Sequence, residues 1–292
     1  MITVISHDAG GAKILSEFII PKKNINFCLK GPAVNIFKSK FRNIKLTQIK
    51  KCLDNTKLII TGSSWPSKFE LKAIKLARIK EIKVVTFLDH WIHYKMRFYY
   101  KGKFILPDEI WVGDLLAYKL AKKIFPQIKI LRKKNLYFEK TIEKILKIQN
   151  KVKEKDLLYI CSPLIKNSFY KDNKNIFKYN ENALLKYFLD NIYKSNIKFN
   201  KIVIRPHPSE SITKYLWTRK KFTKIQIDNK SSLEKNIASA KYIFGFNSNV
   251  LAISSFCNKK VFNVSPLGSK ANLMPFKKIQ NFSDLVKKNE KK

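Results

Sequence analysis

Cysteine is scarce in this chain and never paired in sequence: Cys28, Cys52, Cys161 and Cys257 stand far apart, with no C-x-x-C among them. That spacing speaks against a zinc site or a disulfide framework and points to a reduced setting. Long apolar runs are missing as well. The first residues, MITVISHDAGGAKIL, put a polar loop where a signal peptide keeps its apolar stretch, and no later segment is long enough to span a bilayer. A cytoplasmic location is therefore expected. Arginine occurs only at Arg42, Arg78, Arg97, Arg132, Arg205 and Arg219, and 21 acidic residues face 60 basic ones, for a formal net charge of +39. Such a charge normally flags a polyanion partner. Here nearly all of it is lysine spread along the whole chain, whereas nucleic-acid binders concentrate their basic residues and favour the planar, bidentate contacts of arginine. The balance argues against nucleic acid. It suits an anionic substrate, or peripheral contact with anionic lipid at the inner face of the membrane.

What is present is enough for two cores. The chain has 292 residues, 45% of them hydrophobic and 13% aromatic, which is more than one core usually absorbs. Short β-branched or aromatic runs alternate with segments of helical period, the pattern of parallel sheets with crossover helices, so the fold class is α/β. The first half offers strands at 2–5, 26–29, 58–61, 84–88, 109–112 and 128–131, with helices at 12–18, 67–79 and 114–124. A Lys/Glu-rich helical stretch at 139–156 separates the halves. The second half offers strands at 157–161, 201–205, 224–227, 242–246 and 260–264, with helices at 182–194, 233–240 and 250–256 and a last one after residue 284. The expected division is a first domain at 1–150 and a second at 151–292.

All four histidines, His7, His90, His93 and His207, lie just after an expected strand. In open parallel sheets ligands bind outside the carboxyl ends of strands, so these are positions where an imidazole meets a substrate. The loop SHDAGGA, residues 6–12, joins His7 and Asp8 to Gly10 and Gly11 ahead of a helix, where small residues admit a ligand and the helix start favours negative charge. Its glycine spacing fits neither G-x-G-x-x-G nor a P-loop; the plain alternative is a tight turn with Asp8 as N-cap. A second strand end carries Asp89, His90 and Trp91, with Arg97 further on, a mixture suited to sugars and polar ligands. Asp89 and His90 are adjacent on an extended chain and point to opposite sides, so one of them faces a ligand; the alternative is an aromatic loop packed on the core. Asp114 reads most simply as a helix N-cap. In RPHP, two prolines fix an extended strand exit and hold His207, with Arg205 and Pro208 beside it, against an anion. About forty residues later Asn247 and Ser248 open a helix whose backbone N–H groups suit a phosphate.

The RPHP strand end followed by SSLEKNIASAKYIFGFNSNVLAISSFCNKKVFNV resembles the donor-binding domain of GT-B glycosyltransferases, over roughly residues 157–265. Its nearest parallels are bacterial sialyltransferases, capsule-type Kdo transferases and CDP-glycerol-type polymer transferases. The resemblance implies two Rossmann-like domains facing across a cleft. It also implies that His207 with Pro208 contacts the donor phosphate while Ser248 helps hold the nucleotide. The acidic pair with glycine that sialyltransferases carry near the acceptor has no match at His7-Asp8-Ala9-Gly10. The expected activity is metal-independent transfer of a sugar or sugar acid from a CMP-, CDP- or UDP-linked donor to a glycan or lipid-linked acceptor. No cofactor is expected beyond that donor. Proton transfer is expected from His7 and Asp8 ahead of Asp89 and His90, since histidine is the commonest such group near neutral pH. The competing readings are a nucleotide-sugar epimerase or hydrolase on the same scaffold and a non-enzymatic polyanion binder.

Overall fold

The computed structural model describes residues 1–19, 24–41, 43–64, 67–154, 156–164, 180–266 and 274–290. The chain divides into two units, Met1–Glu139 and Lys140–Lys292. The first opens with β1 (Ile2–Ser6), α1 (Ala9–Phe18), β2 (Ile25–Leu29), α2 (Pro32–Lys40), α3 (Ile49–Leu53), β3 (Leu58–Thr61), α4 (Phe69–Ile79) and β4 (Lys83–Leu88). A short α5 (Tyr94–Arg97) and a hairpin of β5 (Tyr99–Tyr100) and β6 (Lys103–Phe104) precede β7 (Glu109–Val112), α6 (Leu115–Ile124) and β8 (Lys129–Arg132). Helix α7 (Leu136–Gln149) carries the chain across the division. The second unit runs β9 (Asp156–Ile160), α8 (Glu181–Asn191), β10 (Ile202–Arg205), α9 (Trp217–Lys221), β11 (Ile225–Ile227), α10 (Leu233–Ser239) and β12 (Ala240–Gly245). It ends with α11 (Asn249–Phe256), β13 (Lys260–Asn263), β14 (Ile279–Asn281) and α12 (Phe282–Glu290).

Each unit is built on a six-stranded parallel sheet, so the α/β expectation with two Rossmann-like units is borne out. The order is β2-β1-β3-β4-β7-β8 in the first and β11-β10-β9-β12-β13-β14 in the second. The central strands are buried on both faces because helices cover both, which is why they read as compact, mostly apolar runs rather than alternating ones. Val4 and Ile5 in β1, and Leu157 and Leu158 in β9, are wholly buried. In the first unit Ile14 and Leu15 of α1 close over Val4, Ile60 and Phe87. In the second, Phe188 of α8 packs on Tyr159, Phe244 and Phe282, while Phe244 stacks on Phe262 at 5.1 Å.

Expected strands match observed ones within a residue or two. Elements beyond the expectation are α2, α3, α5, α9, the β5–β6 hairpin and the edge strand β14, short or amphipathic pieces with weak apolar period. Polar caps set several helix starts: Asp114 Oδ1 accepts the Ala117 N–H at 2.8 Å, as expected, and Asn180 Oδ1 accepts that of Ala183 at 2.9 Å.

Candidate functional site

In the first unit the strand order turns between β1 and β3, and the loops after these strands meet closely. A Cβ placed on Gly11 would lie 3.0 Å from the Gly62 Cα, so α1 approaches the β3 exit as only glycine permits. His7 and Asp8 stand at this switch point. The His7 Nδ1–H donates to Asp8 Oδ1 at 2.8 Å, which leaves Nε2 as the proton-accepting nitrogen of the neutral ring. Asp8 occupies the N-cap position of α1 but makes no capping bond; its carboxylate is turned to the imidazole instead. That bond is the chief reason the His7 pKa is raised above its ordinary value, with burial opposing it. Gly31, at φ +54°, lies against the ring: a Cβ there would come within 2.8 Å of His7 Nε2. Gly10 sits half-buried in the first turn of α1.

A third ionisable group completes this cluster and escaped the sequence. Glu70, in the first turn of α4, is only 3% exposed, and its Oε1 accepts the His7 backbone N–H at 2.7 Å. Its Oε2 is buried with no hydrogen-bond partner among the described residues. Burial first, then the charge of Asp8, push its pKa up to about 7. No local signal marks it, because an acid in the first turn of a helix is ordinary.

The second group of expected site residues is arranged differently. Asp89 is buried at the end of β4, and its Oδ1 receives Arg97 Nη1 at 2.7 Å and the Ser63 hydroxyl at 2.9 Å. The Arg97 side chain is 4% exposed, and Nη1 also donates to Ser63 Oγ and O, at 2.8 and 3.2 Å. Asp89 and Arg97 thus neutralise each other inside the unit. The His90 Nδ1 accepts the Trp91 backbone N–H at 3.0 Å, and the buried Trp91 donates from its indole to Asp114 Oδ2 at 2.7 Å. The loop is tied to the core along its length. Burial pulls the pKa of His93 down to about 4.

In the second unit the strand order turns between β9 and β12, with β10 on the far side of β9. His207 and Pro208 follow β10. The His207 Nδ1 accepts the Ser209 N–H at 3.2 Å and contacts Ser209 Oγ at 2.8 Å, so the neutral ring carries its proton on Nε2. The loop is anchored by Glu210, whose carboxylate takes the Tyr215 hydroxyl at 2.7 Å and Lys214 at 2.6 Å. The Arg205 Nη1 turns to the start of α10, donating to Ser231 O at 2.9 Å and to Asn236 Oδ1. Beyond β12, Asn247 takes φ +44° and gives its N–H to Asn263 Oδ1 at 2.9 Å; Ser248 then caps α11, accepting the Val250 N–H at 3.2 Å. The His-Pro loop and the α11 start therefore stand one strand apart at the same end of one sheet. Among the described residues no three His, Cys, Asp or Glu gather as a metal site, and no helix is long and apolar enough to cross a membrane.

No family model matches the chain, nor does any curated protein sequence. Solved structures do. The UDP-GlcNAc 2-epimerase from Methanocaldococcus jannaschii superposes with a TM-score of 0.55 at 13% identity, covering 100% of this chain and 92% of the epimerase. A variant of the wall teichoic acid polymerase TagF gives 0.50 at 11% identity, covering 99% of this chain and 78% of the other. The fold is accordingly of the GT-B type, as the resemblance in the second half implies.

Proposed function

We propose that this chain is a metal-independent glycosyltransferase that moves a sugar or a sialic- or Kdo-like sugar acid from a pyrimidine-nucleotide donor to a glycan or lipid-linked acceptor. The observation that carries it is the His7–Asp8 pair: a 2.8 Å hydrogen bond at a switch point, leaving Nε2 to accept a proton. In this reading Nε2 removes the proton of the acceptor hydroxyl as that oxygen attacks the donor sugar, and Asp8 stabilises the imidazolium that forms. Asp89 is less suited to the task, since its carboxylate already balances Arg97. On the second unit, the Nε2–H of His207 and the N–H groups at the α11 start hold the donor phosphate and stabilise it as the nucleotide leaves. Arg205, committed to Ser231 and Asn236, supports the strand end and adds positive potential from behind.

A thermal-shift screen of CMP, CDP, UDP and GDP tests the donor half: the cytidine or uridine nucleotides raise the melting temperature. Stabilisation by GDP alone, or by none, removes this reading. A second reading, epimerisation, is favoured by the likeness to the UDP-GlcNAc 2-epimerase, which spans this whole chain. It is separated by incubating UDP-GlcNAc without acceptor: inversion at C2 identifies an epimerase, and release of UDP a hydrolase.

A further inference from the structure

The first unit holds a cavity of about 740 Å³, within the size range of small-molecule sites. It opens beside the ends of β1 and β2 and the start of α4, with His7 on its wall. Lys30, Lys50, Lys68 and Lys72 line it, and among the described residues lining it there is no carboxylate and no arginine. Lysine is frequent throughout this chain, so number alone decides little; the setting of these four says more. Lys30 is held on the wall with its Nζ 5.3 Å from the centre of the Phe69 ring, close enough to His7 to act on its charge. Lys68 is half-buried at the N-cap of α4 and donates to Tyr99 O at 3.4 Å. Burial lowers its pKa, a cost to its charged form that an anion beside it would relieve. The helix start adds its own positive end to the same space, as Ser67 and Phe69 also line the cavity. Point charges on flexible stems suit a tetrahedral phosphate, whereas the planar fork that a carboxylate pairs with best is absent among these residues.

We infer that this cavity is a binding site for a phosphate-bearing organic ligand, held by Lys30, Lys50, Lys68 and Lys72 with its hydroxyl-bearing part toward His7. It rests on the transferase reading only in making that ligand the acceptor; binding itself needs no donor.

The test uses the ring C2–H signals of the four histidines in a ¹H–¹³C spectrum of the whole chain, with His7 assigned through His7→Gln and His207 through His207→Ala. Glucose 6-phosphate is expected to move the His7 signal saturably, while glucose does not. Lys50→Ala/Lys72→Ala, which removes two exposed side chains and leaves the core intact, is expected to weaken that binding by about tenfold or more. Lys122→Ala/Lys123→Ala on α6 is expected to leave it unchanged. Three outcomes overturn the proposal: equal weakening by both double variants, which reduces the effect to the general lysine field; a shift confined to His207; or inorganic phosphate binding as tightly as the ester, which leaves an ion site without an organic ligand. CMP titrated in the same way reports on His207. Failure of CMP, and of CDP and UDP titrated likewise, with success of glucose 6-phosphate sinks the donor reading and spares this one, and the reverse result does the opposite.

Discussion

The two sheets are alike in plan and unlike in what they place at their strand ends. The first gathers three ionisable residues around His7, whose ring bonds Asp8 and whose backbone N–H bonds Glu70. The second gathers His207 between prolines, the amides of Asn247 and Asn263 and a capping hydroxyl at Ser248. One arrangement shifts proton affinities; the other ties its polar groups to one another around a fixed strand exit. In the proposed reading the same scaffold carries a proton-handling end and a holding end, and the difference lies in side chains grafted onto similar turns.

The largest effect concerns a pair that belongs to neither task. Asp89→Ala leaves the Arg97 guanidinium buried and uncompensated, so it should cost about 3–5 kcal/mol of stability, read from chemical unfolding. A loss of turnover with stability intact would instead move Asp89 into the proton-handling group.

Next comes the pH dependence of the first unit. Glu70, raised from its ordinary 4.5 to about 7, binds its proton more tightly when folded. Its contribution is complete below pH 4.5 and lost as pH rises to about 7, a fall of about 3 kcal/mol. His7, also raised, adds a loss of the same sign as pH climbs past its own folded value. Glu70→Gln should keep the acceptor for the His7 N–H and flatten the Glu70 part, so the variant gains on wild type at pH 8 relative to pH 5. Parallel curves for the two proteins would show that Glu70 titrates as an ordinary carboxyl.

If the first unit handles the proton, His7→Ala and Asp8→Asn each lower turnover on the order of a hundredfold or more, while nucleotide affinity stays near wild type. Should Asp89 or His90 variants remove turnover and these two keep it, the base belongs to the other loop. Loss in none of the four would end the enzymatic reading.

The smallest effect belongs to the holding end. His207→Ala should weaken nucleotide binding by about 1–3 kcal/mol, as for a hydrogen bond to a charged group, measured by calorimetry. Unchanged affinity would leave His207 a turn residue and erase the contrast.

Most of the scaffold was legible because buried parallel strands are compact apolar runs, as in β3 and β9, bounded by turn residues. Helix α2 was not, although Pro32 stands in its first turn, because its buried face is narrow: only Ala33 and Phe37 are fully covered. His7 with Asp8 was legible as adjacent polar residues at a strand exit. Glu70 was not, since what brings it to His7 is the path of β3 and α4 over a sequence separation of 63. The partnership of Asp89 with Arg97, and the turning of Arg205 toward Ser231, depend on side-chain direction in loops. Periodicity carries no information there.

The placement of β9 has a consequence for how the chain is made. This strand must be flanked by β10 and β12, yet its pairing of Leu157 with Tyr242 waits for about eighty further residues to be synthesised. At roughly 5–20 residues per second, one edge of an apolar strand stays open for about 4–16 s on the ribosome. During that interval Leu157, Leu158, Tyr159 and Ile160 form a template to which another nascent chain can add, so slower crowding of ribosomes on one message, or a chaperone on that edge, protects the yield of the second unit.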